Sequence, residues 1–210
     1  MALEILTFEL GPMQNNTYLL ADTVTGSAVV VDPSFDSEIV LGEAQKRGWT
    51  IQGIWLTHAH FDHIAGVKML AESREPGLPV GLHPKDLPLF EQGGGARNFG
   101  VRVEPGPHPA LYFEHEQTLN LGSEMVEVRF TPGHTPGHVV FYSASASAAL
   151  VGDLIFYHSV GRTDLPGGDL EALLQSIHTQ VMTLPPETRL LSGHGPETTV
   201  AEEKENNPYL

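Results

Sequence analysis

Three histidines and an aspartate fall within six residues at His58-Ala59-His60-Phe61-Asp62-His63. Neutral imidazole nitrogens hold Zn²⁺ at about 2.0–2.1 Å, and carboxylates bind it at similar range. His58 and His60, two residues apart, project to one side of an extended or loop backbone. Asp62 and His63 sit in the turn into a helix and can face another way. One loop can thus give two ligands to one ion and two to its neighbour. Two ions about 3.5–4 Å apart form a hydrolytic clamp. A lone histidine after a strand is more often a surface or core residue, but packing does not explain this density. His134 and His194, each preceded by glycine, and Asp153, preceded by Gly152, complete the set, with Asp153 the natural bridge between two ions.

Asp32 is a different case. It reads as a hydrogen-bond acceptor that orients the loop or a ligand imidazole, or as a turn cap. His138 either supports His134 or packs in the interior. His83, His108, His115, His158 and His178 are assigned structural or surface roles.

Each of the seven follows a β-favouring run directly or within a few residues, where loops at one edge of a sheet converge. Strands are expected at Leu3–Leu10, Thr17–Ala21, Ala28–Val31, Ile51–Leu56 and Val80–Leu82. In the second half they are expected at Leu111–Glu114, Thr118–Leu121, Met125–Phe130, Val139–Tyr142, Ala149–Val151 and Arg189–Leu191. Helical patterns cover Asp36–Arg47, Ile64–Ser73 and Pro84–Phe90. Asp169 caps a further helix with an apolar stripe of Leu170, Leu173, Leu174, Ile177, Val181 and Leu184. The Gly93–Gly100 and Pro105–Pro109 segments are irregular. Strands paired with helices in both halves, with no linker between them, suggest a layered αββα sandwich.

The chain has 210 residues, 40% hydrophobic and 18% charged, as an ordinary globular protein does. Its net charge is −15, from 11 basic and 26 acidic residues. The basic residues are scattered, which argues against nucleic acid as a partner. The absence of cysteine excludes disulfides and thiolate metal sites. Met1-Ala2-Leu3-Glu4 does not read as a signal peptide, and no uncharged apolar run approaches the roughly 20 residues that span a bilayer. The expectation is a soluble, cytoplasmic protein with one domain over residues 1–210.

His-x-His-x-Asp-His at 58–63, followed by His134, Asp153 and His194, resembles the metallo-β-lactamase superfamily. Within it the chain is most similar to small glyoxalase-II-like (hydroxyacylglutathione hydrolase-like) hydrolases. Supporting segments are Pro132–His138, Val160–Pro166, Gly193–Pro196, and Glu203 with Asn207-Pro208. The resemblance implies a four-layered αβ/βα sandwich of two mixed sheets flanked by helices. It implies two Zn²⁺ ions, with iron or mixed metals as variants. His58, His60 and His134 would hold one, Asp62, His63 and His194 the other, and Asp153 would bridge.

The implied reaction is hydrolysis of a small-molecule thioester of the S-lactoylglutathione type by a metal-bridging hydroxide, with Asp62 orienting the nucleophile. The C-terminal helical region that holds glutathione in full-length glyoxalase II has no counterpart here. In the pocket, the Gly93–Gly100 loop and Phe156-Tyr157-His158 are candidate walls. Arg97 and Arg162 are candidate carboxylate contacts, with Arg162–Asp164 equally readable as a structural pair. A rival resemblance is to persulfide dioxygenases, which hold one iron at positions corresponding to His58, His134 and Asp153. A secreted β-lactamase, a nuclease and a purely structural zinc module fit the sequence less well.

Overall fold

The computed structural model describes residues 3–210. Strands β1 (Leu3–Leu10), β2 (Asn15–Asp22) and β3 (Ser27–Val31) form an antiparallel meander. β4 (Thr50–Trp55), β5 (Val80–Leu82) and β6 (Leu111–Tyr112) then add in parallel, so each crossover must carry its chain over a face of the sheet. The first sheet therefore runs β1-β2-β3-β4-β5-β6. Its crossovers contain α1 (Glu38–Arg47), α2 (Phe61–Ile64), α3 (Val67–Ala71) and α4 (Leu87–Glu91).

The second sheet begins as an antiparallel meander of β7 (Thr118–Leu121), β8 (Glu124–Phe130), β9 (Val139–Ser143) and β10 (Ala148–Gly152). A hairpin of β11 (Ile155–Phe156) and β12 (Ser159–Val160) follows, then α5 (Leu170–Ser176). β13 (Arg189–Ser192) returns parallel to β10, β14 (Thr198–Thr199) closes the edge, and α6 (Val200–Asn206) follows.

Strand alternation assigns the layers, because neighbouring side chains point to opposite faces. Leu19 of β2, with Val30, Ile54 and Leu56, packs against Val40, Ala44, Ile64, Val67 and Leu70 of the first helical layer. Leu20, with Val29, Val31 and Trp55, meets Val126, Val128, Phe141, Leu150 and Leu191 between the sheets. On the far side, Ala149, Val151 and Leu190 pack against Leu173, Ile177, Val181 and Val200. These are the four layers αβ/βα. No helix among the described residues is long and apolar enough to cross a membrane.

The elements depart from the sequence pattern in several places, among them a 3-10 turn at Ala96–Phe99 within the segment expected to be irregular. The expected Ile64–Ser73 helix begins earlier and is broken between α2 and α3. The break lies at Gly66, where a Cβ would stand 2.4 Å from the Ser34 carbonyl oxygen. After α5 the helix widens to π-type turns over Ile177–Val181, a change the 3.6-residue stripe conceals. The β11–β12 hairpin, β14 and α6 have no expected counterpart. The short strands are two residues each, and α6 buries only Val200 and Glu203.

Candidate metal centre

The site is built at one edge of the sandwich, from the ends of β3, β4, β10 and β13 and the loop before β9. Asp32 ends β3 in the left-handed region, at φ 50°. One of its oxygens accepts the Thr57 amide at 2.7 Å, and the other accepts the Thr57 hydroxyl at 2.6 Å. The second also lies 3.0 Å from His63 Nδ1. Asp32 thus joins the ends of β3 and β4 and orients one imidazole, which resolves the two readings of its role in favour of positioning.

These bonds set the tautomers. The Thr57 hydroxyl proton goes to Asp32, so its oxygen accepts from His58 Nδ1 at 3.0 Å. His63 Nδ1 donates to Asp32, His134 Nδ1 to the Arg162 carbonyl at 2.7 Å, and His194 Nδ1 to the Met13 carbonyl at 3.1 Å. All four rings therefore turn Nε2 inward. His60 faces inward through Nδ1, 2.8 Å from His134 Nε2.

Two sets result. The ligating atoms of His58, His60 and His134 lie within 4.8 Å of one another, and so do those of Asp62, His63 and His194. Asp153 stands between them: Oδ1 is 3.3 Å from His63 Nε2, and Oδ2 is 3.6 Å from His134 Nε2 and 3.7 Å from His194 Nε2. Asp62 Oδ2 is 3.1 Å from His194 Nε2. Asp32, His58 and His63 also come together, but their facing atoms are already committed to hydrogen bonds, so that contact is support.

His58 Nε2, His63 Nε2 and Asp153 Oδ1 are buried with no hydrogen-bond partner among the described residues. Each such group costs about 1–3 kcal/mol if left unsatisfied. A divalent cation satisfies converging lone pairs of this kind, and the donor set, rich in imidazole with two carboxylates, fits one. Close approach is also built in at Gly193, where a Cβ would stand 2.2 Å from Asp153 Oδ1.

The two sets differ electrostatically. Burial, then the neighbouring His63 and His134, holds His58 well below the ordinary histidine range. Burial and His134 push His60 down to about 3, and burial lowers His134. Burial also opposes charge on His63, but Asp153 and Asp62 outweigh it and raise the ring well above the ordinary value. His194 is raised in the same way, with its hydrogen bond to Asp62 the strongest opponent of burial. Burial opposes charge on Asp153, but His63, His134 and His194 together outweigh it and hold the carboxyl below its ordinary range. Burial thus disfavours charge on the imidazoles of the first set, whereas the Asp62 and Asp153 carboxylates favour it on the histidines of the second.

One functional residue escapes the sequence reading. Asp86, buried at the start of α4, accepts the Gly137 amide at 2.6 Å, the Thr135 hydroxyl at 2.7 Å and the Ala59 amide at 3.0 Å. Ala59 lies between His58 and His60, and Thr135 follows His134. A single carboxylate therefore fastens together the two loops that carry the first set. Its position just past β5 was the available signal, the same strand-end rule that selects the other seven.

His138 packs beneath the site, with its ring 5.3 Å from His58 and its Nδ1 2.9 Å from the Thr131 hydroxyl. Glu203, buried in α6, accepts from the Thr198 hydroxyl, the Asn207 amide group and the His158 backbone amide at 2.6, 2.7 and 3.0 Å. Asn207 also donates to the Ser159 carbonyl. Together they anchor the β11–β12 hairpin against the chain's last helix.

A cavity of about 420 Å³ opens over the two sets, walled by Met13, Phe61, Phe99, Phe156, Val160 and Leu165. Of the candidate wall segments, only Phe99 and Phe156 contribute to it. Tyr157 and His158 stack on each other at 3.9 Å and stand outside the lining. Arg97 lines a separate cavity with Arg102 and Glu104. Arg162 is held in two bonds of 2.7 Å to Asp164, the structural pair anticipated from the sequence.

His83 is structural, as expected. It stacks on Phe130 at 4.4 Å and accepts the Lys85 amide. Burial, then the Lys85 charge, pushes its pKa from 6.5 down to about 4. A folded value below the unfolded one favours the neutral ring. Its contribution to stability is therefore complete above about 6.5 and lost as pH falls through about 4. His83→Asn retains a capping acceptor and cannot titrate, so its thermal midpoint should fall less than the parent's between about pH 7 and 4.5. Equal falls would exclude His83 from the acid response.

Residues 10–194 match the family model of the Metallo-beta-lactamase superfamily. The chain belongs to that superfamily. Among its metallo-beta-lactamase relatives, the "Probable metallo-hydrolase YqgX" of Bacillus subtilis is 38% identical, covering 96% of this chain and 94% of that one. The "Hydroxyacylglutathione hydrolase GloC" of Haemophilus influenzae is 33% identical over 94% of this chain and 93% of its own. Among solved structures, the BLEG-1 B3 metallo-beta-lactamase superposes with a TM-score of 0.92 at 37% identity, covering 99% of both chains. TTHA1623 in a di-iron-bound form gives 0.87 at 41%, covering 98% of this chain and 100% of that one. The chain is thus a metallo-hydrolase-fold enzyme whose histidine–aspartate cluster fits divalent metal.

Proposed function

We propose that residues 1–210 act as one domain, a cytoplasmic binuclear metal-dependent thioesterase. The observation that carries the reading is Asp153, whose two oxygens face histidines of both sets. His58, His60 and His134 would hold one ion, Asp62, His63 and His194 the other, and Asp153 both. Zinc is the proposed metal; imidazole suits iron as well, and TTHA1623 is described in a di-iron form. When bound, such ions polarise a carbonyl and provide a deprotonated water at neutral pH.

The protein's own groups do the rest. Asp62, at the cavity floor, is placed to accept a proton from a water and orient its lone pair toward the acyl carbon. The apolar walls exclude bulk solvent and so strengthen the field of the charged floor. Among the described residues, the lining outside the seven has no histidine, cysteine or carboxylate: it is Met13, Phe61, Phe99, Phe156, Ser159, Val160, Arg162 and Leu165. An amide nitrogen must be protonated to leave, whereas a thiolate, with a thiol pKa of about 8.5, departs unassisted. The lack of an acid thus favours a thioester over an amide. The likeness to GloC, named a hydroxyacylglutathione hydrolase, supports a thioester as the bond cleaved.

The test is a panel of small thioesters, a β-lactam and a glutathione persulfide, assayed with protein purified without added metal. Thioester hydrolysis is expected, falling at least about 10³-fold on chelation and returning on addition of zinc or iron. Turnover indifferent to chelation, preferential opening of the lactam, or oxygen consumption with the persulfide alone would overturn the proposal.

A further inference from the structure

Resting on the thioesterase reading, we infer that the enzyme's substrate carries an uncharged aliphatic acyl chain, seated against the phenylalanine wall of the cavity. Above the charged floor the lining is mostly apolar, with Phe61, Phe99, Phe156, Val160, Leu165 and Met13. Phe61 and Phe99 pair at 5.2 Å between ring centroids and make one continuous wall. Phe156 stands 6.2 Å from the His194 ring, and so brings an apolar face close to the reacting centre. The chain places large hydrophobic side chains here at a cost in exposure: Phe99 is 45% and Met13 47% exposed. Neither is needed to fill the core between or outside the sheets, and both gain cover from an apolar ligand.

The charged side of the argument is independent. Arg162 is the one lysine or arginine in the lining, and Asp164 takes it in two parallel bonds. A substrate carboxylate would have to displace that partner. Ser159 is the one lining hydroxyl outside the seven, so a polar acyl group finds few partners along the walls. A hydroxyl or carboxyl buried there without a partner loses hydration that nothing replaces. A methylene gains by contact, about fourfold in transition-state binding per fully covered group.

The measurement is kcat/KM across acetyl, butyryl, hexanoyl, lactoyl and succinyl esters of one uncharged thiol, with zinc-loaded protein. A rise of roughly 10–10² from acetyl to hexanoyl is expected, with lactoyl below butyryl and succinyl lowest. Phe99→Ser, at a half-exposed position where folding is not at stake, should flatten that rise. A flat series, a preference for lactoyl or succinyl, or a Phe99→Ser effect uniform across the series would overturn the inference and leave the thioesterase reading standing. Hydrolysis of no member of the panel would instead sink the reading itself.

Discussion

Asp153→Asn should lower kcat/KM by at least about 10²-fold and leave fewer than two ions per chain. The carboxylate lies between the two sets, with His63 on one oxygen and His134 and His194 on the other. Its neighbours on both sides need a negative charge there, and asparagine offers a neutral oxygen and a donor pointed at a bare nitrogen. Removing one partner from a buried charged cluster costs about 3–5 kcal/mol, which is a factor of roughly 10²–10³ or more in any equilibrium or rate that depends on it. Elemental analysis of the folded variant, set beside its kinetics, separates two outcomes. Loss of metal with loss of turnover is the expected result. Full activity with one ion would mean that the second set is not part of the reacting centre.

The second large effect is expected at Asp86, which touches no ligand. Asp86→Ala leaves the Ala59 and Gly137 amides and the Thr135 hydroxyl without their acceptor, and all three residues are buried. The expected loss of stability is about 3–5 kcal/mol. The two loops of the first set would also lose their common tether, so metal affinity at that set should fall about 10–100-fold. Asp86→Asn keeps the shape and one acceptor, but must point an amide hydrogen at one of two backbone donors, so partial rescue is expected. Denaturant unfolding reads the first effect and metal titration the second. Unfolding that shifts while metal affinity holds would reduce Asp86 to a scaffold residue.

Much of the site was legible because its residues crowd a short segment. His58 to His63 need no alignment to stand out, and His134, Asp153 and His194 follow glycines at strand ends. The sandwich was legible from strands paired with helices in both halves, and β2 is buried at every position because it faces two layers. Asp86 was harder to see because it is a single acid in an ordinary helix start, and its role exists only once Ala59 and Gly137 fold beside it. The β11–β12 hairpin is too short for any period to register. The hairpin decides the walls: it directs Phe156 into the cavity, while His158, at φ 54°, turns toward Glu202. The pairing of Arg162 with Asp164 could be guessed from their spacing, whereas the placement of Arg97 in a different cavity could not.

Anomalous diffraction from crystals of the metal-loaded protein bears most directly on the two-ion centre. Two peaks per chain are expected, one among His58, His60 and His134 and one among Asp62, His63 and His194, with the Asp153 carboxylate in contact with both. A single peak, or two peaks with Asp153 turned away from them, would contradict it.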